Sequence, residues 1–158
     1  MKFIALIMII ASGVLIGTDK YKDMENKVKV LEFYESLLNE IKIGISYSLD
    51  DIYLILTESA NPVAIKIRGN NLFSENLDIR WKETAEYLLK NDSEVRFIGR
   101  FIEEFGKTDI ESGKLITDNY LKKVNMKCVA AKGELEKKGK IYIVYSFFIS
   151  FSVAMLLI

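Results

Sequence analysis

The 158-residue chain contains no histidine, and Cys128 is its only cysteine. Those two shortages remove disulfide frameworks, Cys/His zinc sites, Ser-His-Asp triads and Cys-His dyads together. Charge of one sign is also missing, because 22 Lys plus Arg balance 22 Asp plus Glu. No field therefore draws the chain to nucleic acid or presses it onto anionic lipid. Strand patterns, internal repeats and low-complexity segments are absent too. The scattered glycines 69, 99, 106, 113, 133 and 139 fit no phosphate-binding motif, so no cofactor is expected.

What the chain does have is apolar surface concentrated at its two ends. Phe3 to Gly17 is an uncharged apolar run after Lys2, and Ile141 to Ile158 is a second one. Each approaches the ~17 to 25 residues that a helix needs to cross a bilayer, with Lys2, Lys20 and Lys140 placed to snorkel. The second run carries Phe147, Phe148, Phe151, Met155, Leu156 and Leu157 on every face of a helix, a pattern that belongs in lipid. A cleaved signal peptide is the rival for the first run, since Ala11-Ser12-Gly13 loosely imitates a small-residue cleavage site. Cleavage there would leave Val14, Leu15 and Ile16 at a new terminus, and no lipobox cysteine follows, so the run reads as an anchor.

The expected organisation is a membrane helix over 1–17, a helical domain over 18–140 and a second membrane helix over 141–158. Lysines 20, 22, 27 and 29 follow the first run, and lysines 122, 123, 127, 132, 137, 138 and 140 precede the second, against Lys2 alone on the far side. That bias puts the middle domain in the cytoplasm and both termini across the membrane. A reduced Cys128 suits that compartment.

In the middle domain, Leu31, Tyr34, Leu38, Ile41 and Ile45 recur at three- and four-residue steps, as do Leu121, Val124, Cys128, Ala131 and Leu135. Two long helices with matching stripes suggest an antiparallel hairpin. Equally, the stripes could be core faces covered by the shorter helices between them. Those shorter helices are marked by their ends. Ser48 to Asp51 resembles a capping box, and Asn61-Pro62 places a cap before a proline at the first helical position. Gly69 with Asn70-Asn71 closes the next helix, and a polar loop follows to Asn76. Trp81, Ala85 and Leu88 share one face of a helix over 79–90. Asn91-Asp92-Ser93 caps a helix bearing Phe97, Ile98, Phe101, Ile102 and Phe105, Gly106 ends it, and Asp109 opens the last long helix.

The order of these features resembles the stage III sporulation protein AB family over essentially the whole chain. The matching pieces are Ile16-Gly17 closing the first span, Leu37 to Ile41 as Leu-Leu-Asn-Glu-Ile, Ser48-Leu49 and Trp81. The most specific is Phe105-Gly106-Lys107-Thr108-Asp109, similar to the family's Leu-Gly-x-Ser-Asp turn. Gly113 stands where the family usually carries glutamine. Ser146 and Ser150 stand where its second span tends to have glycines, so helix packing there is expected to be less close. The resemblance implies an all-α fold, a six-helix bundle similar to the type II secretion protein F domain flanked by two transmembrane helices, and six is also the number of helices counted from the sequence. It further implies a non-catalytic component of the channel joining mother cell and forespore, in the mother-cell membrane around the forespore. The implied partners are the stage III sporulation protein AA ATPase, other stage III sporulation channel proteins and the lipid bilayer, with no nucleic acid.

Candidate contact positions for a partner are Glu40 at the rim of the first stripe, Asn70 and Asn71 in the polar loop, and Phe97 and Phe101 on an aromatic ridge. Gly106 and Asp109 are read as a structural turn. The carboxylate pairs Asp50-Asp51 and Glu103-Glu104 point to different faces of a helix and read as solvated or capping groups rather than acid-base pairs. A small membrane-anchored sensor binding a ligand or signalling partner is the alternative function. An enzyme is the least supported class.

Overall fold

Every described element of the computed structural model is helical; it describes residues 2–44, 51–69 and 77–156. Helix α1 runs from Lys2 to Gly44, followed by α2 (Asp51–Glu58), α3 (Pro62–Arg68), α4 (Leu77–Leu88), α5 (Asp92–Gly99), α6 (Phe101–Phe105) and α7 (Ile110–Glu134). A π-helical turn, Leu135–Gly139, joins α7 to α8 (Lys140–Leu156). Only Arg100, in right-handed helical geometry, separates α5 from α6, so the described segments form six helical rods.

The short helices end where their side chains can satisfy free backbone groups. Asn61 accepts a hydrogen bond from Val63 N at 2.9 Å, and Pro62 contributes a helical φ and no orphan NH. Gly69, at φ 48°, closes α3 by donating from its NH to Ile65 O. Asn91 accepts from Ser93 N at 2.9 Å. Asp109 accepts from Ser112 N at 3.1 Å and so starts α7. Ser48 to Asp50 of the capping box and the stripe residue Ile45 lie outside the described residues.

The chain divides into two compact units, one formed by 1–28 with 129–158 and the other by 29–128. In the larger unit, Leu31, Tyr34, Leu37, Leu38 and Ile41 of α1 are buried together with Trp81, Phe101, Val124 and Cys128. Trp81 lies at the centre. Its ring meets Tyr34 edge-on at 5.9 Å and Phe101 at 5.3 Å, and its indole NH donates to Ile98 O at 2.7 Å. That bond disposes of the one polar atom that burying the indole would otherwise strand. Tyr34 on α1 thus packs on α4, so this part of the first stripe is a core face covered by a shorter helix. Asn61 reinforces the arrangement by donating from its side chain to Phe33 O at 2.9 Å. Within this unit α1 and α7 run antiparallel, tied by Asn125 donating to Glu35 at 2.7 Å and by Lys42 paired with Asp118 at 2.6 Å.

The smaller unit packs by a different rule. Residues 2–28 run antiparallel to α8, and Gly13 and Gly17 of α1 press on Ser150 and Ser146. A Cβ at Gly17 would stand 2.9 Å from Ile143 Cα, and one at Gly13 would collide with the Ser150 hydroxyl. Two glycines four residues apart give up side chains so that the helices approach backbone to backbone. The serines were expected to loosen this contact. They do not, because Ser150 turns its hydroxyl to Ser146 O at 2.8 Å and the glycines opposite supply the room. Outside the seam, Ile7, Met8, Leu15, Ile16, Phe148, Ile149 and Leu156 are exposed.

Candidate functional site

The aromatic ridge read from the sequence splits in depth. Phe101 is fully buried between Trp81, Phe105 and Tyr120 and belongs to the core. Phe97, one turn earlier, stays half-exposed and stacks on Tyr120 of α7, with centroids 4.6 Å apart and planes 10° from parallel. The stack forms the floor of a shallow recess of roughly 350 Å³ between α5 and α7, with Arg96, Arg100, Lys123 and Glu104 around it. Lys123 and Lys127 set their ammonium groups 5.5 and 5.9 Å from the Phe97 ring centre, within reach of a cation–π attraction.

Glu103 and Glu104 follow Arg100 in the sequence. Burial first, and the neighbouring Glu104 carboxylate second, push the Tyr120 hydroxyl well above its ordinary range. Glu103 pairs with Lys107 at 2.8 Å, and the hydrogen bond from that ammonium holds the carboxyl below its usual value. The adjacent glutamates therefore serve separate neighbours, as their helical geometry requires. Arg96, Arg100, Lys123 and Lys127 form no ion pair among the described residues.

The remaining sequence candidates fall elsewhere. Glu40 is half-buried and accepts from the Ser59 hydroxyl at 2.6 Å, tying α1 to the α2–α3 connection. Asn70 and Asn71 lie outside the described residues. Gly106 caps α6 by donating to Ile102 O, and Asp109 accepts from Ser112 N at the start of α7. Gly113, the departure from the family's glutamine, is covered by Phe105, whose ring would stand 2.8 Å from a Cβ at that position.

Two other recesses are open surface features. One lies along α3 and α4, where Lys66 sits 3.9 Å from the Tyr87 ring centre, and the other lies beside Glu35 and Met126. No group of three or more Asp, Glu or Cys with metal-binding geometry occurs among the described residues. The four cations around Phe97 were missed in the sequence. Their signal was present as two pairs at i, i+4 spacing, Arg96 with Arg100 and Lys123 with Lys127, but nothing in the sequence showed that α5 and α7 would bring the pairs together.

Among the described residues, one helix, Glu111–Leu156, is long and apolar enough to cross a membrane, and most of its apolar window is exposed. The model of the stage III sporulation protein AB family matches residues 2–158. The chain belongs to that family. Its role is therefore in stage III of sporulation. No curated protein and no solved structure matches it.

Proposed function

We propose that the chain is a non-catalytic membrane platform of the sporulation stage III channel between mother cell and forespore. Residues 1–17 and 141–158 span the mother-cell membrane around the forespore, and residues 18–140 form a cytoplasmic domain that docks the secretion-type ATPase, stage III sporulation protein AA. The observation that carries this reading is the family match over nearly the whole chain, joined to a helix whose exposed apolar surface suits lipid. The chemistry agrees: with no histidine and one buried cysteine, the chain offers work to a partner enzyme through contacts rather than through a nucleophile and base.

The mechanism is positional. Docking on the helical domain holds the ATPase at the membrane, and the two spans connect it to the rest of the channel. Co-purification in mild detergent with the companion ATPase tests this, comparing the intact chain with one lacking residues 18–140. Capture by the intact chain alone supports docking through the domain. Capture by neither, in a preparation shown to be helical, would sink it.

A further inference from the structure

We propose that the recess between α5 and α7 receives an acidic segment of a protein partner, with carboxylates gripped by Arg96, Arg100, Lys123 and Lys127 and an apolar or aromatic side chain laid on Phe97. The inference rests on the reading that the cytoplasmic domain docks a protein, and names the surface and the partner chemistry.

Three observations lead to it. In a chain of zero net charge, four cations from two helices converge on one spot, and none has an ion pair among the described residues. Structures tend to neutralise such clusters internally, and leaving one unpaired costs stability through like-charge repulsion. Next, Phe97 presents a half-exposed ring that Tyr120 fixes by stacking and that the ammonium groups of Lys123 and Lys127 border, so it is a rigid aromatic surface that loses little entropy when covered. Arginine and aromatic groups together are the residues that most often dominate protein contacts, and guanidinium groups grip carboxylates in pairs.

The third observation selects a peptide over a polyphosphate. Glu104 lines the same recess. A string of phosphates would meet that charge without a donor to offer it. A peptide segment brings backbone NH groups and side-chain donors beside its acids, so it can satisfy Glu104 while neutralising the cations.

The test uses the full chain in nanodiscs of neutral lipid. A fluorescein-labelled peptide of alternating glutamate and phenylalanine is titrated onto wild type, onto R96E/R100E and onto K123E/K127E, each checked for helicity by circular dichroism; capture of the companion ATPase is measured on the same three proteins. The expected result is saturable peptide binding that weakens with salt and falls about tenfold or more in both charge reversals, with ATPase capture lost in parallel. Peptide binding that is absent from wild type or unchanged in both reversals overturns the assignment. So does oligouridylate or phosphatidylglycerol-vesicle binding that the peptide cannot displace. ATPase capture that survives both reversals likewise overturns it, and leaves docking to another face. Failure of wild type to capture the ATPase, with charge-dependent peptide binding intact, removes the docking reading and keeps the surface.

Discussion

Residues 29–128 and the unit formed by 1–28 with 129–158 are both helical, yet they are held together by opposite kinds of residue. The larger unit buries Trp81, Tyr34, Phe101 and a set of leucines and isoleucines, and turns most of its charges outward, Glu94 excepted. The smaller one buries Gly13, Gly17, Gly139, Ser150 and Ala154, and turns isoleucine, phenylalanine and methionine outward. The proposed placement of the smaller unit in the membrane accounts for the difference. In water, removing large apolar groups from contact with solvent drives packing. In lipid, the surroundings are as apolar as the interior, so that force vanishes and helices gain by close van der Waals approach at small residues.

Substitutions that break one region and spare the other sharpen this contrast. The largest effect is expected from Trp81→Ala, which empties a fully buried site and removes the bond to Ile98 O; a loss of about 3 to 5 kcal/mol is expected. Chemical denaturation followed by tyrosine fluorescence or circular dichroism checks it, and association of the two apolar segments should be unchanged. Gly17→Leu should act in reverse. It forces a side chain into Ile143 and Ser146, costing about 1 to 3 kcal/mol in the smaller unit with no change in the unfolding midpoint of the larger one. Disulfide trapping between cysteines introduced on either side of the seam reads that loss.

Asn61→Ala removes both the cap on Val63 N and the bond to Phe33 O, and should lower the stability of the larger unit by about 1 to 2 kcal/mol. Asn61→Asp keeps the cap and loses the donor, so it should fall between. The smallest effect belongs to Asp109. Hydrogen bonds from Ser112, side chain first and then backbone, hold its carboxyl below the ordinary range. A group with a depressed folded pKa contributes stability above its unfolded value and loses it as pH falls through the folded one. Wild type should therefore lose a small increment of stability below about pH 4, and Asp109→Asn should lack that increment. Urea midpoints measured across the acid range decide it.

Much of the fold was legible because helix ends are local events. Asn61-Pro62, Asn91, Gly106 and Asp109 each satisfy a backbone group within a few residues, so their roles needed no tertiary information. The buried stripe of α1 and the centrality of Trp81 were legible for a similar reason, since helical periodicity reports which face is apolar. Depth was less accessible. Phe97 and Phe101 share a ridge at four-residue spacing and both meet Tyr120, and it is the added cover of Trp81 and Phe105 that makes Phe101 core and leaves Phe97 at the surface. Glu40 looked like a rim group until Ser59, distant in sequence, accounted for it. The close seam at Ser146 and Ser150 is not legible from α8 alone, because the glycines that allow the approach are on α1.

The contrast between the two regions is tested most directly by thiol labelling in sealed vesicles. In a Cys128→Ser background, Leu115→Cys and Phe148→Cys place single thiols at positions exposed to nearly the same degree in the protein, 66% and 60%. If the second apolar run lies in lipid, a maleimide added to vesicles opened by freeze–thaw will modify the thiol at 115 within minutes. The thiol at 148, near the middle of that run, will resist until detergent is added, because the reactive thiolate does not form in hydrocarbon. Equal labelling at both positions before detergent would contradict the account, since the exposed apolar face of α8 would then be meeting water.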